Sequence, residues 1–278
     1  VQLAKAVAAD VAARFALLPP LVTLDRILAG TSRSLAFSPD SRFIASGGES
    51  DVTLFDSQWR PQRRWPGSSG AVAFSPDGTG IVSGSPDGTI RILDPSRDQA
   101  ILSWKAHDHS ISSVAVSRDF IASAGLDGWV HLWNPKTGES LWKECSKTGK
   151  PVWCVAFSPD GRWLATGDND RLVRVLDLST RKWVHEWRSD RYYIRVVAFS
   201  PNGRLLSAAG ADHAVTLWEC PSWARLRTLT GHDTLINALA FCPDGRRLVS
   251  AGNDGNVTLW ETETGALLRT ISCHQGSL

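Results

Sequence analysis

The 278-residue chain carries 30 basic and 28 acidic side chains, a formal net charge of +2, and is 42% hydrophobic. This composition supports a sizeable buried core and excludes disorder by composition, and the near balance of charge gives no electrostatic case for a nucleic-acid or membrane partner. Five cysteines (Cys145, Cys154, Cys220, Cys242 and Cys273) without a C-x-x-C spacing argue against a disulfide framework or zinc site and fit a reducing, cytoplasmic compartment.

The first element expected is a short helix in residues 1–20. Val7, Val11, Phe15 and Leu18 share one face, and Pro19-Pro20 stops it. It either packs on the following β domain, residues 21–278, or ends a preceding helical domain. The chain starts at Val1 and contains no Met, which points to a fragment or a processed form. "LVTLDRILAG", Leu21 to Gly30, reads as an outer strand. No apolar run reaches the roughly 18 residues needed to span a bilayer.

A marker then recurs six times: LAFSPD at Leu35–Asp40, VAFSPD at Val72–Asp77, VAVSRD at Val114–Asp119, VAFSPD at Val155–Asp160, VVAFSPN at Val196–Asn202 and LAFCPD at Leu239–Asp244. Its last residues are 37, 42, 41, 42 and 42 positions apart, a period that indicates a repeat architecture. Within each unit apolar residues alternate with period two. Pro-Asp-Gly and Asp-Gly turns separate four short runs, as in "INALAFCPDG", "RLVSAGNDG", "NVTLWE" and "GALLRTI". Such a unit cannot bury both faces alone, so neighbours must stack.

This pattern resembles the WD40 repeat over about residues 22 to 274. The resemblance implies an all-β fold, a WD40-type β-propeller of four-stranded antiparallel blades with six recognisable repeats. It implies a seventh, incomplete blade beginning near His274, with six blades and one surplus strand as the alternative. It also implies a hydrogen-bonded tetrad of His, Ser or Thr, Asp and Trp in each blade. Two units carry all four residues: His107, Ser123, Asp127 and Trp133, and His232, Ser250, Asp254 and Trp260. Asp would accept from the His ring, Ser would bridge to the indole N–H, and Gly would permit the tight turn. The other units depart. The second has Ser83, Asp87 and Leu93 with Trp65 near the His position; the fourth has Thr166, Asp170 and Leu176. The fifth has Asp190, Ala208, Asp212 and Trp218, and the first Ser46, Glu49 or Asp51, and Phe55.

Chemistry-bearing constellations are few. In "HDH", His107–His109, the first His belongs to a tetrad and no third ligand is evident, so no metal is expected. "GDND" at Gly167–Asp170 lacks the calcium-loop spacing and reads as a turn. With no P-loop, G-x-S-x-G or partnered Cys-His arrangement, no cofactor and no catalytic residue is expected. Aligning the units on the marker brings Arg33, Gly70, Ser112, Trp153, Arg195 and Asn237 to one position at the start of the first strand, a region where the resemblance implies partner contact. The loop "RSDRYYIR" adds Arg191, Tyr192 and Tyr193, the only two Tyr of the chain, and Lys150 lies near Trp153. Arg33, Lys150, Trp153, Arg191, Tyr192, Tyr193, Arg195 and Asn237 therefore form the candidate binding face, of a composition suited to an acidic or phosphorylated protein or peptide. "WRPQRRW", Trp59 to Trp65, reads as a solvated sheet edge. The expected function is a non-catalytic protein-interaction scaffold, as the sensor or scaffold end of a larger regulatory protein. The alternative is a metal-dependent propeller hydrolase with its site at the channel mouth.

Overall fold

The structure, a computed structural model, describes residues 33–189 and 192–272. Among them, twenty-four strands form six four-stranded antiparallel sheets, each a meander of strands a to d in chain order. The expected N-terminal helix, the strand at 21–30 and the start of a seventh set at 273–278 lie outside the described residues. The described residues contain six blades.

The chain divides into two compact units, each taken by itself. The first holds residues 31–157 and 168–170. Its first blade comprises β1 (Ser34–Phe37), β2 (Phe43–Gly47), β3 (Asp51–Asp56) and β4 (Pro61–Pro66). The second comprises β5 (Ala71–Phe74), β6 (Ile81–Gly84), β7 (Thr89–Leu93) and β8 (Ala100–Lys105). The third comprises β9 (Ile111–Val116), β10 (Ile121–Gly125), β11 (Trp129–Trp133) and β12 (Ser140–Cys145), and β13 (Val152–Phe157) opens the fourth. The second unit contains the remaining strands of the fourth blade, β14 (Trp163–Asp168), β15 (Leu172–Asp177) and β16 (Lys182–Arg188). The fifth blade follows as β17 (Ile194–Phe199), β18 (Leu205–Gly210), β19 (Ala214–Glu219) and β20 (Arg225–Thr230). The sixth is β21 (Ile236–Phe241), β22 (Arg247–Gly252), β23 (Asn256–Glu261) and β24 (Leu267–Ser272).

Burial explains the composition of each strand. Strand b is covered on both faces: β10 is buried throughout, and β18 and β22 are buried from their second residue on. Small residues in "IASAG", "LLSAAG" and "RLVSAG" let neighbouring blades approach. Strand d is the outer edge and alternates, as in β8 and β16, so one face meets solvent. The apolar cores lie between neighbours. Leu54 and Trp65 of the first blade pack with Ile81 and Leu93 of the second. Ile90 of the second packs with Ile121 and Trp133 of the third. In the other unit, Val215 and Leu217 pack with Leu248 and Trp260. Fully burying one such side chain is worth about 1.5–3 kcal/mol, so a blade depends on its neighbour for most of its stability. Just before the edge strand β4, Arg60 pairs with Asp56 at 2.9 Å, and on the strand Arg63 pairs with Asp98 and Arg64 with Asp51. These charges obstruct edge-to-edge pairing.

The recurring Ser-Pro-Asp has a local cause. In the fourth blade Ser158 Oγ donates to Asp160 Oδ1 at 2.5 Å and accepts from the Trp163 amide at 2.9 Å, while the Arg162 amide donates to the same Asp160 oxygen at 3.0 Å. The same net closes the a–b turn through Ser38 and Asp40, Ser75 and Asp77, and Ser200 and Asn202. The hydroxyl thus serves amide groups that the hairpin leaves without a ladder partner. In the sixth blade the buried Cys242 takes the place of Ser. Each such hydrogen bond adds about 1 kcal/mol net. Ser158→Ala is expected to lower unfolding free energy by about 1–2 kcal/mol in denaturant titrations. Cys242→Ser, which supplies the missing hydroxyl, should be neutral or stabilising by up to about 1 kcal/mol; a clear loss would show that the sixth turn is not equivalent.

Candidate functional site

Two blades contain a complete polar chain. In the third, Trp133 Nε1 donates to Ser123 Oγ at 2.8 Å, Ser123 Oγ lies 2.7 Å from His107 Nε2, and His107 Nδ1 lies 2.9 Å from Asp127 Oδ1. In the sixth, the Trp260–Ser250, Ser250–His232 and His232–Asp254 distances are 2.7, 2.8 and 2.8 Å. The indole can only donate, so the Ser oxygen accepts from it and gives its own proton to Nε2. The imidazole then carries its proton on Nδ1, aimed at the carboxylate. The Asp also receives backbone amides: Asp127 from Asp108 at 3.0 Å and Trp129 at 3.1 Å, Asp254 from Asn256 at 3.0 Å. Burial pulls the Asp127 carboxyl up, but the hydrogen bond from His107 and the two backbone amides hold it below the ordinary range.

The spacing Ser-Ala-Gly-x-Asp-Gly follows from this packing. A Cβ on Gly125 would sit 2.3 Å from Asp127 Oδ1 and 2.4 Å from His107 Nδ1; on Gly252 it would meet His232 Nδ1 at 2.8 Å. Gly128 and Gly255 take φ of +84° and +76° in the turn. His131, beside this network, stacks on Trp133 at 4.7 Å and meets the His107 ring edge-on at 4.8 Å. Burial first, then the neighbouring His107 ring, pushes its pKa down from 6.5 to about 4.

The other blades lack parts of the chain, and their polar atoms show it. The buried hydroxyls of Ser83 and Thr166 have no hydrogen-bond partner among the described residues. Asp87 turns to Arg91, at 3.6 Å. Trp65 does not stand at the His position. It lies on β4 opposite Val52, as Trp104 lies opposite Ile90, and its Nε1 donates to Arg97 O at 2.9 Å. Counting forward from that register puts the buried Ser68 where the third blade has its His. In the fourth blade Asp170 accepts the Thr148 amide at 3.0 Å and the Thr148 hydroxyl, and Lys150 Nζ lies 3.6 Å away. Burial acts against the Asp170 charge; Thr148 and Lys150 outweigh it and keep the pKa low. In the fifth blade, burial raises the Asp212 carboxyl, whose Oδ1 has no partner among the described residues.

The position that the repeat alignment brought out is a β-bulge in three blades. The a–b register skips Ser112 in β9, Arg195 in β17 and Asn237 in β21. A bulge removes a residue from the ladder and re-aims its side chain. Ser112 Oγ donates to Ala124 O at 2.9 Å. Asn237 is fully buried and its Nδ2 donates to Asn253 Oδ1 at 2.5 Å; at the corresponding place in the fourth blade, Trp153 Nε1 donates to Asn169 Oδ1 at 3.3 Å. Asn169 and Asn253, each the residue just before the b–c turn Asp (Asp170 and Asp254), were not singled out by sequence reasoning; their common place before that Asp was the available signal. Arg33 is exposed and lies 3.8 Å from Glu49. Tyr192 is 46% exposed and stacks on His213 at 6.3 Å with an interplanar angle of 9°. Tyr193 and Arg195 are half-buried. Arg33, Lys150 and Trp153 belong to the first unit, and Tyr192, Tyr193, Arg195 and Asn237 to the second; Arg191 and Asp190 lie outside the described residues.

Among the described residues no group of three His, Cys, Asp or Glu could hold a metal ion. Cys145, Cys154, Cys220 and Cys242 are free thiols, and no helix among the described residues is long and apolar enough to cross a membrane.

Two measurements test the polar chain. Ser123→Ala or Ser250→Ala, which strands a buried His nitrogen and indole, should cost about 1–3 kcal/mol. Ser83→Ala should be neutral or stabilising, since that hydroxyl is buried without a partner. The pH dependence is the second. Neutral in the fold and ionising near 6.5 when unfolded, His131 contributes stability that is complete above pH 6.5 and is lost as pH falls toward about 4. Urea titrations over that window should show a shallower loss for His131→Phe than for the parent.

Comparison with known proteins agrees with this geometry. Residues 26–56, 59–94, 98–134, 142–177, 181–219 and 223–261 match the family model "WD domain, G-beta repeat", WD40. Nuclear distribution protein nudF of Aspergillus niger is 32% identical over 102 residues, covering 35% of this chain and 23% of that protein. Pre-mRNA-processing factor 19 of Bos taurus is 26% identical over 178 residues, 63% of this chain and 34% of its own length. Protein groucho of Drosophila melanogaster is 25% identical over 173 residues, 59% of this chain and 22% of its own length. The chain matches no more than about a third of the length of these relatives. Six matched repeats, each realised as a four-stranded blade, make this chain a member of the WD40 family of β-propeller repeats.

Proposed function

We propose that the chain is a non-catalytic protein-interaction module that takes an acidic or phosphorylated peptide at the bulged start of strand a, with Tyr192 and Arg195 of the fifth blade at its centre. The bulge carries this reading. At that repeat position the third, fourth and sixth blades carry Ser112, Trp153 and Asn237, and the fifth carries an arginine, three residues after Tyr192, whose side chain is 46% exposed. Arginine and tyrosine are the side chains that concentrate binding energy at interfaces, and a guanidinium grips carboxylate or phosphate through two parallel hydrogen bonds. Asn237 stands at the corresponding bulge of the sixth blade, in the same compact unit.

The catalytic alternative has no comparable support, because the tetrad Asp and His side chains are engaged with Ser and Trp. The chain also matches only a minor share of its longer relatives, consistent with a role as the scaffold end of a larger regulatory protein. In binding assays on arrays of acidic and phosphorylated peptides, Tyr192→Ala with Arg195→Ala should weaken the strongest interactions at least about tenfold, or 1.4 kcal/mol, with an unchanged melting temperature. Equal binding by parent and double variant would exclude this rim as the site.

A further inference from the structure

A cleft of about 420 Å³ opens between the fifth and sixth blades, within the second compact unit, on the side of the a–b and c–d turns. Its lining includes Arg204, Arg227, Arg246, Glu219, Glu263 and Leu226. Arg204 and Arg246 occupy the same repeat position, just after the a–b turn. The fourth blade shows what that position does when it is satisfied internally. There the residue after strand c, Leu178, donates its amide to Arg162 O at 3.0 Å. The Arg162 guanidinium lies 3.7 Å from Asp177 and 4.2 Å over the Trp163 ring.

The backbone contact is kept in the next two blades: the Cys220 amide donates to Arg204 O and the Thr262 amide to Arg246 O, both at 2.8 Å. The side-chain contacts are not. Leu205 and Arg247 replace the tryptophan, and Glu219 and Glu261 replace Asp177 in register. Both acids are engaged by the c–d turn: Glu219 accepts from Ser222 Oγ at 2.8 Å and Glu261 from Thr264 Oγ1 at 2.5 Å. Asp244, also on the cleft, is held by Arg247 at 3.2 Å and by the Arg246 amide at 2.9 Å. Arg227 enters from strand d with its stem against Gly265. Arg204, Arg227 and Arg246 therefore line one concavity, and none has a carboxylate within ion-pair distance among the described residues. Leu226, 46% exposed, gives the same cleft an apolar wall.

We infer that this cleft is a second docking site, for an acidic peptide segment of a partner protein. Asp or Glu carboxylates of the peptide would meet Arg204, Arg227 and Arg246, and one apolar side chain would cover Leu226. The argument is charge complementarity: Glu219 and Asp244 of the lining are held by Ser222 and Arg247, while Arg204, Arg227 and Arg246 have no carboxylate partner among the described residues and outnumber the one remaining lining acid, Glu263. The volume falls within the roughly 300–1,000 Å³ of small binding sites, which suits a few side chains rather than a folded domain.

The test is a fluorescence-anisotropy titration at low salt with a short labelled peptide of Glu, Asp and one Leu, beside its Gln/Asn counterpart. The acidic peptide should bind saturably and the neutral one at least about tenfold more weakly. Arg204→Gln with Arg246→Gln should weaken binding at least tenfold at unchanged melting temperature, and Glu263→Gln should tighten it. Tyr192→Ala with Arg195→Ala should leave it unchanged. Absence of binding to the parent protein, equal binding of the neutral peptide, or equal binding by the arginine variant would overturn the cleft. So would displacement by a short oligonucleotide at lower concentration than the peptide. Loss in the Tyr192/Arg195 variant alone would move the peptide to the rim, overturning the cleft while supporting the reading of the preceding subsection. Conversely, failure at the cleft leaves that reading intact.

Discussion

The hydroxyl in the middle of strand b sits where water cannot reach it. Ser83, Ser123, Thr166 and Ser250 are each fully buried at this place in their blades. A buried hydroxyl without a partner costs about 1–3 kcal/mol. The solution in the third and sixth blades is an indole that donates into the oxygen and an imidazole that takes the proton. An Asp in turn orients that imidazole and also gathers the amides of the b–c turn. One buried atom thereby dictates a Trp on strand c, a His before strand a, an Asp at the hairpin, and a glycine small enough to let the His–Asp pair pass.

Where the set is incomplete, the blade is not merely weaker; its remaining groups take other partners. Asp87 pairs with Arg91, Asp170 receives Thr148 and Lys150, and Asp212 stays half-buried with its charge disfavoured. The Ser-Pro-Asp turn is kept far more evenly, because it needs only residues within a span of five. The ordered core between neighbouring blades carries what the polar chain does not, through side chains such as Trp65, Ile121 and Trp218. Stability is consequently shared out unevenly along the repeats, with the third and sixth blades cross-tied by hydrogen bonds and the second and fourth resting on packing.

The same uneven use of side chains separates surfaces available to partners from surfaces already engaged. A repeat presents equivalent positions several times, so a copy with an ion pair serves as the reference for a copy without one. Arg162, paired with Asp177 and stacked on Trp163, is the reference for Arg204 and Arg246 at the cleft between the fifth and sixth blades. Binding energy at such places comes from groups whose electrostatic demand the fold has not met.

The six repeats, the four strands of each unit and the Pro-Asp-Gly and Asp-Gly turns were legible in the amino-acid sequence; the seventh blade expected near His274 lies outside the described residues. Their causes are local: period-two alternation, glycine where φ is positive, and hydroxyl and carboxylate groups serving amides two to five residues away. The tetrad members of the third and sixth blades were legible too, because four specific side chains recur at fixed spacing. Tertiary structure alone decided that Trp65 belongs to strand d, that His131 stacks beside the polar chain, that Ser112, Arg195 and Asn237 stand on bulges, and which arginines lack a carboxylate. These outcomes depend on strand register and on partners brought in from distant positions, as Asn169 is to Trp153 and Asp177 to Arg162. A one-residue shift in register redirects every side chain while leaving the composition of the segment unchanged.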